Sequence, residues 1–153
     1  MNALSRALLA CVALSLVAGG CGDDGHDHDH MDHEMCTGDE QAFAVGAVAS
    51  GDAYTLELIS AEPNPPIVGD NTFVVELTDG SGAPVEGAAV TAESWQHVHD
   101  HGTPVVATVS DLGGGQYEAG PLNVIHKGSW EFRFAIDSGK TSDFAFFHFC
   151  VEP

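Results

Sequence analysis

The sequence predicts an all-β fold: a seven-stranded antiparallel sandwich of immunoglobulin-like size, preceded by a disordered N-terminal tail. Three observations lead there. Short apolar segments recur at fairly even spacing from Tyr54 onward. Gly, Pro, Asn and Asp separate them. No stretch of the domain has the 3.6-residue period of an amphipathic helix.

Tyr54–Ser60 (YTLELIS) alternates apolar and polar side chains, as a half-buried strand does. A turn-rich connection over Glu62–Asn71 leads to a second strand, Thr72–Thr78 (TFVVELT). Asp79-Gly80-Ser81-Gly82-Ala83-Pro84 is a strong turn signal. The third strand is Ala88–Trp95, and Val105–Ser110 the fourth, closed by Gly113-Gly114-Gly115. Tyr117–Ile125, Trp130–Ile136 and Phe144–Val151 complete the set. Trp130, Phe132, Phe134, Phe144, Phe146 and Phe147 are expected to supply much of the core. Residues 41–153 form this single domain, with no internal repeat.

The N-terminus reads as an address. Arg6 is followed by a twelve-residue apolar run, Ala7–Ala18, too short to span a bilayer as a mature helix. Ala18-Gly19-Gly20 then precedes Cys21, the pattern of a bacterial lipoprotein signal over residues 1–20, with Cys21 as the lipidated residue. Ala18 stands where such signals usually carry Leu. The expected location is the cell envelope: a lipid anchor in a bacterial membrane, with the domain facing the periplasm or the outside.

Charge narrows the function. The chain has 23 acids against four Lys and Arg, a net charge of −19, with nine His. All the acids follow residue 20 and Arg6 leaves with the signal, so the mature chain carries −20. So few cations exclude phosphate neutralisation, and with it nucleic-acid binding and polybasic docking to lipid. Residues 22–40 (GDDGHDHDHMDHEMCTGDE) hold eight acids and four His but no Val, Ile, Leu or aromatic residue, and read as a flexible tether. With Cys11 removed and Cys21 lipidated, Cys36 and Cys150 remain. An oxidising compartment favours a disulfide between them; a thiolate metal ligand is the alternative.

Several fragments fall in a characteristic order: Asn64-Pro65-Pro66 with Val68-Gly69-Asp70-Asn71, then Asp79-Gly80 to Pro84-Val85 and Gly87-Ala88, then His99-Asp100-His101-Gly102, Gly115-Gln116-Tyr117 and Gly128-Ser129-Trp130. Over about residues 54–151 the chain resembles the YtkA-like domains, relatives of the FixH-like proteins. That resemblance implies a membrane-anchored extracytoplasmic β-sandwich connected with copper handling and cytochrome oxidase assembly. The family signature is roughly Met-Pro-x-His-x-His-Gly. His99, His101 and Gly102 match it, whereas Gln96 and His97 stand at the Met-Pro positions. The missing thioether disfavours Cu(I), and an added imidazole favours Cu(II), with zinc or nickel as alternatives.

His97, His99 and His101 alternate, and on a strand all three would project from one side toward a shared ion. The tail places His26, His28, His30 and His33 among Asp27, Asp29 and Asp32, a compositional metal binder. His126 and His148 are expected to be structural. Ser81 lies in a Gly-Ser-Gly turn rather than a nucleophile elbow, and neither a phosphate loop nor a dinucleotide fingerprint is present, so no enzyme is expected. The expected function is metal binding by an envelope lipoprotein that buffers, sequesters or delivers copper. The alternative is a sandwich module that binds an envelope partner, such as an efflux or oxidase-assembly component, with incidental His.

Overall fold

A computed structural model describes residues 36–152. The signal, Cys21 and the tail residues His26, His28, His30 and His33 lie outside them. The strands are β1 (Val48–Ser50), β2 (Tyr54–Glu62), β3 (Gly69–Asp79), β4 (Ala89–Gln96), β5 (His101–Gly102), β6 (Thr108–Gly113), β7 (Gln116–Val124), β8 (Gly128–Asp137) and β9 (Ser142–Val151). They form two antiparallel sheets, ordered β1-β2-β3-β7-β6 and β5-β4-β8-β9. The fold is the expected all-β sandwich. The strand count is nine rather than seven, because short β1 and β5 are added at sheet edges.

The core is built by alternation. Leu56, Leu58, Phe73, Val75 and Leu77 of the five-stranded sheet face Trp130, Phe132, Phe134, Phe147 and Phe149 of the other, all fully buried. Phe73 and Phe132 meet with ring centres 4.7 Å apart, and Phe147 stacks on Phe149 at 5.7 Å. Phe144 and Phe146, expected in the core, are instead 45% and 41% exposed. With Phe147 and Phe149 turned inward, the period of two puts Phe144, Phe146, His148 and Cys150 in an outward row.

The expected strand over Val105–Ser110 begins later, at Thr108. Residues 103–107 carry the chain from β5 in one sheet to β6 in the other, so they cannot pair in either, and Val106 is 84% exposed. The Pro-rich turn before β3 is pinned by buried Asn71. Its Oδ1 accepts from the Ile67 N–H at 2.9 Å, and its Nδ2 donates to the carbonyls of Ile67, Gly69 and Leu122. Tyr117 ties the 85–88 turn to β7: its hydroxyl accepts from Ala88 N–H and donates to the Val85 carbonyl, both at 3.0 Å.

The segment before β1 is fastened down twice. Cys36 and Cys150 are disulfide-bonded, with Cα atoms 5.4 Å apart, so neither is a thiolate ligand. Gln41 makes a parallel bridge to Phe149, its N–H donating to the His148 carbonyl at 2.8 Å.

Candidate metal centre

The His-rich stretch is a turn, not a strand. β4 ends at Gln96, residues 97–100 reverse the chain, and β5 pairs back on β4 with Gln96 opposite His101. Asp100 makes the reversal with φ at 54°, a left-handed conformation that Asp tolerates better than most residues. Its Oδ1 accepts from the Trp95 indole N–H at 3.3 Å. It therefore neither faces freely away nor orients an imidazole, as an extended reading of His97–His101 would have it.

The reversal separates His97 from its sequence neighbours. His99 and His101 have ring centres 5.9 Å apart, and His126, from the β7–β8 connection, joins them at 5.7 Å from His99 and 6.3 Å from His101. His126 rests against core residue Trp130 at 5.4 Å, and the Trp130 indole N–H donates to the His126 carbonyl at 2.9 Å. The three imidazoles thus gather at one end of the sandwich, at the edge of the core.

Two of the rings are oriented by backbone. His101 Nδ1 lies 2.9 Å from the Gly102 carbonyl, and His126 Nδ1 lies 3.1 Å from the Lys127 carbonyl. A carbonyl only accepts, so each Nδ1 carries the hydrogen and each Nε2 keeps its lone pair, the form a metal needs. The backbone of His99 is held by Gln96: its N–H donates to Oε1 at 2.9 Å. The Gln96 Nε2 is then buried with no hydrogen-bond partner, as is the Ser94 hydroxyl.

Among the described residues no three His, Cys, Asp or Glu side chains already surround a common ion-binding point. The cluster is close to that arrangement. Imidazoles on one ion, at about 2.0–2.1 Å per nitrogen, have ring centres roughly 4.5–5.5 Å apart, so each pair needs to close by up to about 1 Å to reach the upper end of that range. The donor set is nitrogen throughout, which fits Cu(II), Zn(II) or Ni(II) and lacks the soft ligand that Cu(I) prefers.

His97 takes a different neighbourhood, on the outward face of β8 and β9. Its Nδ1 lies 2.6 Å from Glu131 Oε1, and its ring centre lies 4.7 Å from that of His148. Glu131 is only 5% exposed; its other oxygen accepts from Arg133 at 2.7 Å. Burial acts to raise the Glu131 pKa, but the hydrogen bonds from Arg133 and His97 outweigh it and hold the carboxyl below its ordinary value. His148 Nε2 is 2.6 Å from the buried Ser129 hydroxyl. Burial and the neighbouring His97 both lower the His148 pKa, favouring the neutral ring.

His126 and His148, both expected to be structural, each make a local hydrogen bond, and the fold also brings each beside another imidazole. No periodicity links them to residues 97–101.

No curated protein and no solved structure matches the chain significantly. A family model described as YtkA-like matches residues 49–135, a span containing His99, His101 and His126 and ending before His148. That match covers more than half of the sequence, and the chain belongs to the YtkA-like family.

Proposed function

We propose that this chain is a metal-binding lipoprotein of the bacterial envelope, anchored through Cys21, that buffers, sequesters or delivers copper in copper homeostasis or oxidase assembly. The observation that supports it is the grouping of His99, His101 and His126 within 5.7–6.3 Å, with two Nδ1 atoms tied to carbonyls so that the paired Nε2 atoms keep their lone pairs. Copper enters through the family resemblance, and Cu(II) over Cu(I) through the all-imidazole donor set, which zinc or nickel would also accept. The tail residues His26, His28, His30 and His33 add loose, exchangeable capacity, and the −20 mature charge draws cations to the protein. The role is binding rather than turnover: the nearby Asp100 carboxylate is committed to Trp95.

Isothermal titration of the mature protein with Cu(II) tests this. The expected result is one tight site that the triple variant His99→Ala/His101→Ala/His126→Ala loses, above weaker binding by the tail. Absence of any binding tighter than roughly millimolar would overturn it.

A second reading, an interaction module for an envelope partner, is favoured by one surface. Phe144 and Phe146 are exposed on the outer face of the four-stranded sheet, and Phe144, Arg133 and Val106 line a cleft of about 260 Å³. Full biological activity in the His triple variant would select this reading.

A further inference from the structure

We propose that His97 and His148 form a second metal-ion site for a borderline divalent cation such as Zn(II) or Cu(II), separate from the His99/His101/His126 cluster. This goes beyond the proposed function, which needs only the cluster. His97 occupies a proline position of the family signature, and His148 lies outside the matched span, so neither imidazole of the pair is one that the signature supplies.

The argument rests on how each ring is held. Glu131 fixes His97 from behind: its carboxylate accepts the Nδ1 hydrogen at 2.6 Å and leaves the Nε2 lone pair forward. A carboxylate behind an imidazole is the usual second layer of a metal site, because it sets the tautomer and raises the basicity of the coordinating nitrogen. Glu131 is itself buried and braced by Arg133, whose guanidinium also sits 4.2 Å over the Trp95 ring, so the carboxylate has one orientation.

His148 is held as well. The buried Ser129 hydroxyl lies 2.6 Å from His148 Nε2 and holds that end of the ring; with the hydrogen of the neutral imidazole on Nε2, the lone pair is on Nδ1. The rings stand 4.7 Å apart between centres, tilted by 47°. Two imidazoles on neighbouring corners of one ion have ring centres roughly 4.5–5.5 Å apart, and the spacing of the pair falls inside that range. His97 is half exposed, which gives an ion a path in and leaves coordination positions for solvent. An ion held by two protein nitrogens exchanges readily.

The test uses the full mature chain with His26, His28, His30 and His33 replaced by Ser, titrated with zinc chloride. Bound zinc is counted by equilibrium dialysis, and imidazole ¹⁵N shifts are followed by NMR. The expected result is two ions per chain, with coordination shifts at His97 Nε2 and His148 Nδ1. His97→Ala/His148→Ala loses one ion and keeps the cluster's. His99→Ala/His101→Ala loses the other and keeps the pair's shifts. Glu131→Gln, which leaves both imidazoles in place, weakens the pair site at least tenfold and spares the cluster. A single bound ion that survives His97→Ala/His148→Ala overturns the second site and leaves the cluster standing. A single ion lost only in that variant upholds the pair and overturns the cluster. No bound ion overturns both.

Discussion

The backbone N–H of His99 donates to the side-chain Oε1 of Gln96 at 2.9 Å, and that one bond decides which way the Gln96 amide faces. The other end, Nε2, is buried without an acceptor. An unpaired buried amide costs about 1–3 kcal/mol. Gln96 also stands where the family signature has Met. Replacing it with Met removes the unpaired donor and adds a soft thioether beside the imidazoles. Gln96→Met also removes the Oε1 that accepts from the His99 N–H, so gain and loss offset: unfolding stability is expected to change by less than about 1 kcal/mol, while Cu(I) affinity rises at least tenfold. Denaturant melts and competition with a chromogenic Cu(I) chelator measure the two effects. An unchanged Cu(I) affinity would place Gln96 away from the metal.

Two carboxylates make the domain acid-sensitive. Asp143 accepts from the backbone N–H groups of Asp52, Ala53 and Tyr54 at 3.1, 2.9 and 2.9 Å, clamping the turn into β2 against β9. Burial acts to raise its pKa, but these bonds and one from Phe144 N–H hold it below the usual range. Glu40 falls to about 2: bonds from Ser129, Thr37 and Gly38 overcome its burial. Groups with depressed folded pKa values bind protons more readily when unfolded. Their contribution is complete above the unfolded values and is lost as pH falls through the folded ones, for Glu40 toward about 2. Thermal melts across that acid range are expected to show falling stability. Asp143→Asn should cost about 1–2 kcal/mol at pH 7 and flatten the acid slope. A variant as stable as the parent would contradict the clamp.

The disulfide closes 114 residues of chain. Loop entropy sets its contribution at about 4–5 kcal/mol as an upper figure. Cys36→Ser is expected to lower stability by several kcal/mol in denaturant titrations. It should also release the segment that places Glu40 on Ser129, raising amide exchange at Gln41. A loss below about 1 kcal/mol would show that the Gln41–Phe149 bridge alone holds the segment.

Much of the sandwich was legible because each long strand carries its own alternating pattern. Leu56 and Leu58, or Phe132 and Phe134, state which face is buried without reference to the rest of the fold. β1 and β5 were not legible, since two or three residues hold no period. Phe144 and Phe146 misled because an aromatic residue on an outward face looks, as a residue type, like core. The family was readable from ordered Gly, Pro and His fragments. The composition of the metal cluster was only partly readable. Alternation suggested that His97, His99 and His101 act together, but residues 97–100 reverse the chain with Asp100 left-handed, and a tight turn has no periodic signature. His126 enters from a connection remote in sequence, so only the pairing of β4 with β8 brings it near.

The most direct test of the account separates His126 from His97. In the mature protein with His26, His28, His30 and His33 changed to Ser, Cu(II) affinity is measured at the tighter site for His126→Ala and His97→Ala. The account predicts a loss of at least tenfold for His126→Ala and little change for His97→Ala. A loss with His97→Ala and none with His126→Ala would contradict it and restore the alternating trio as the metal centre.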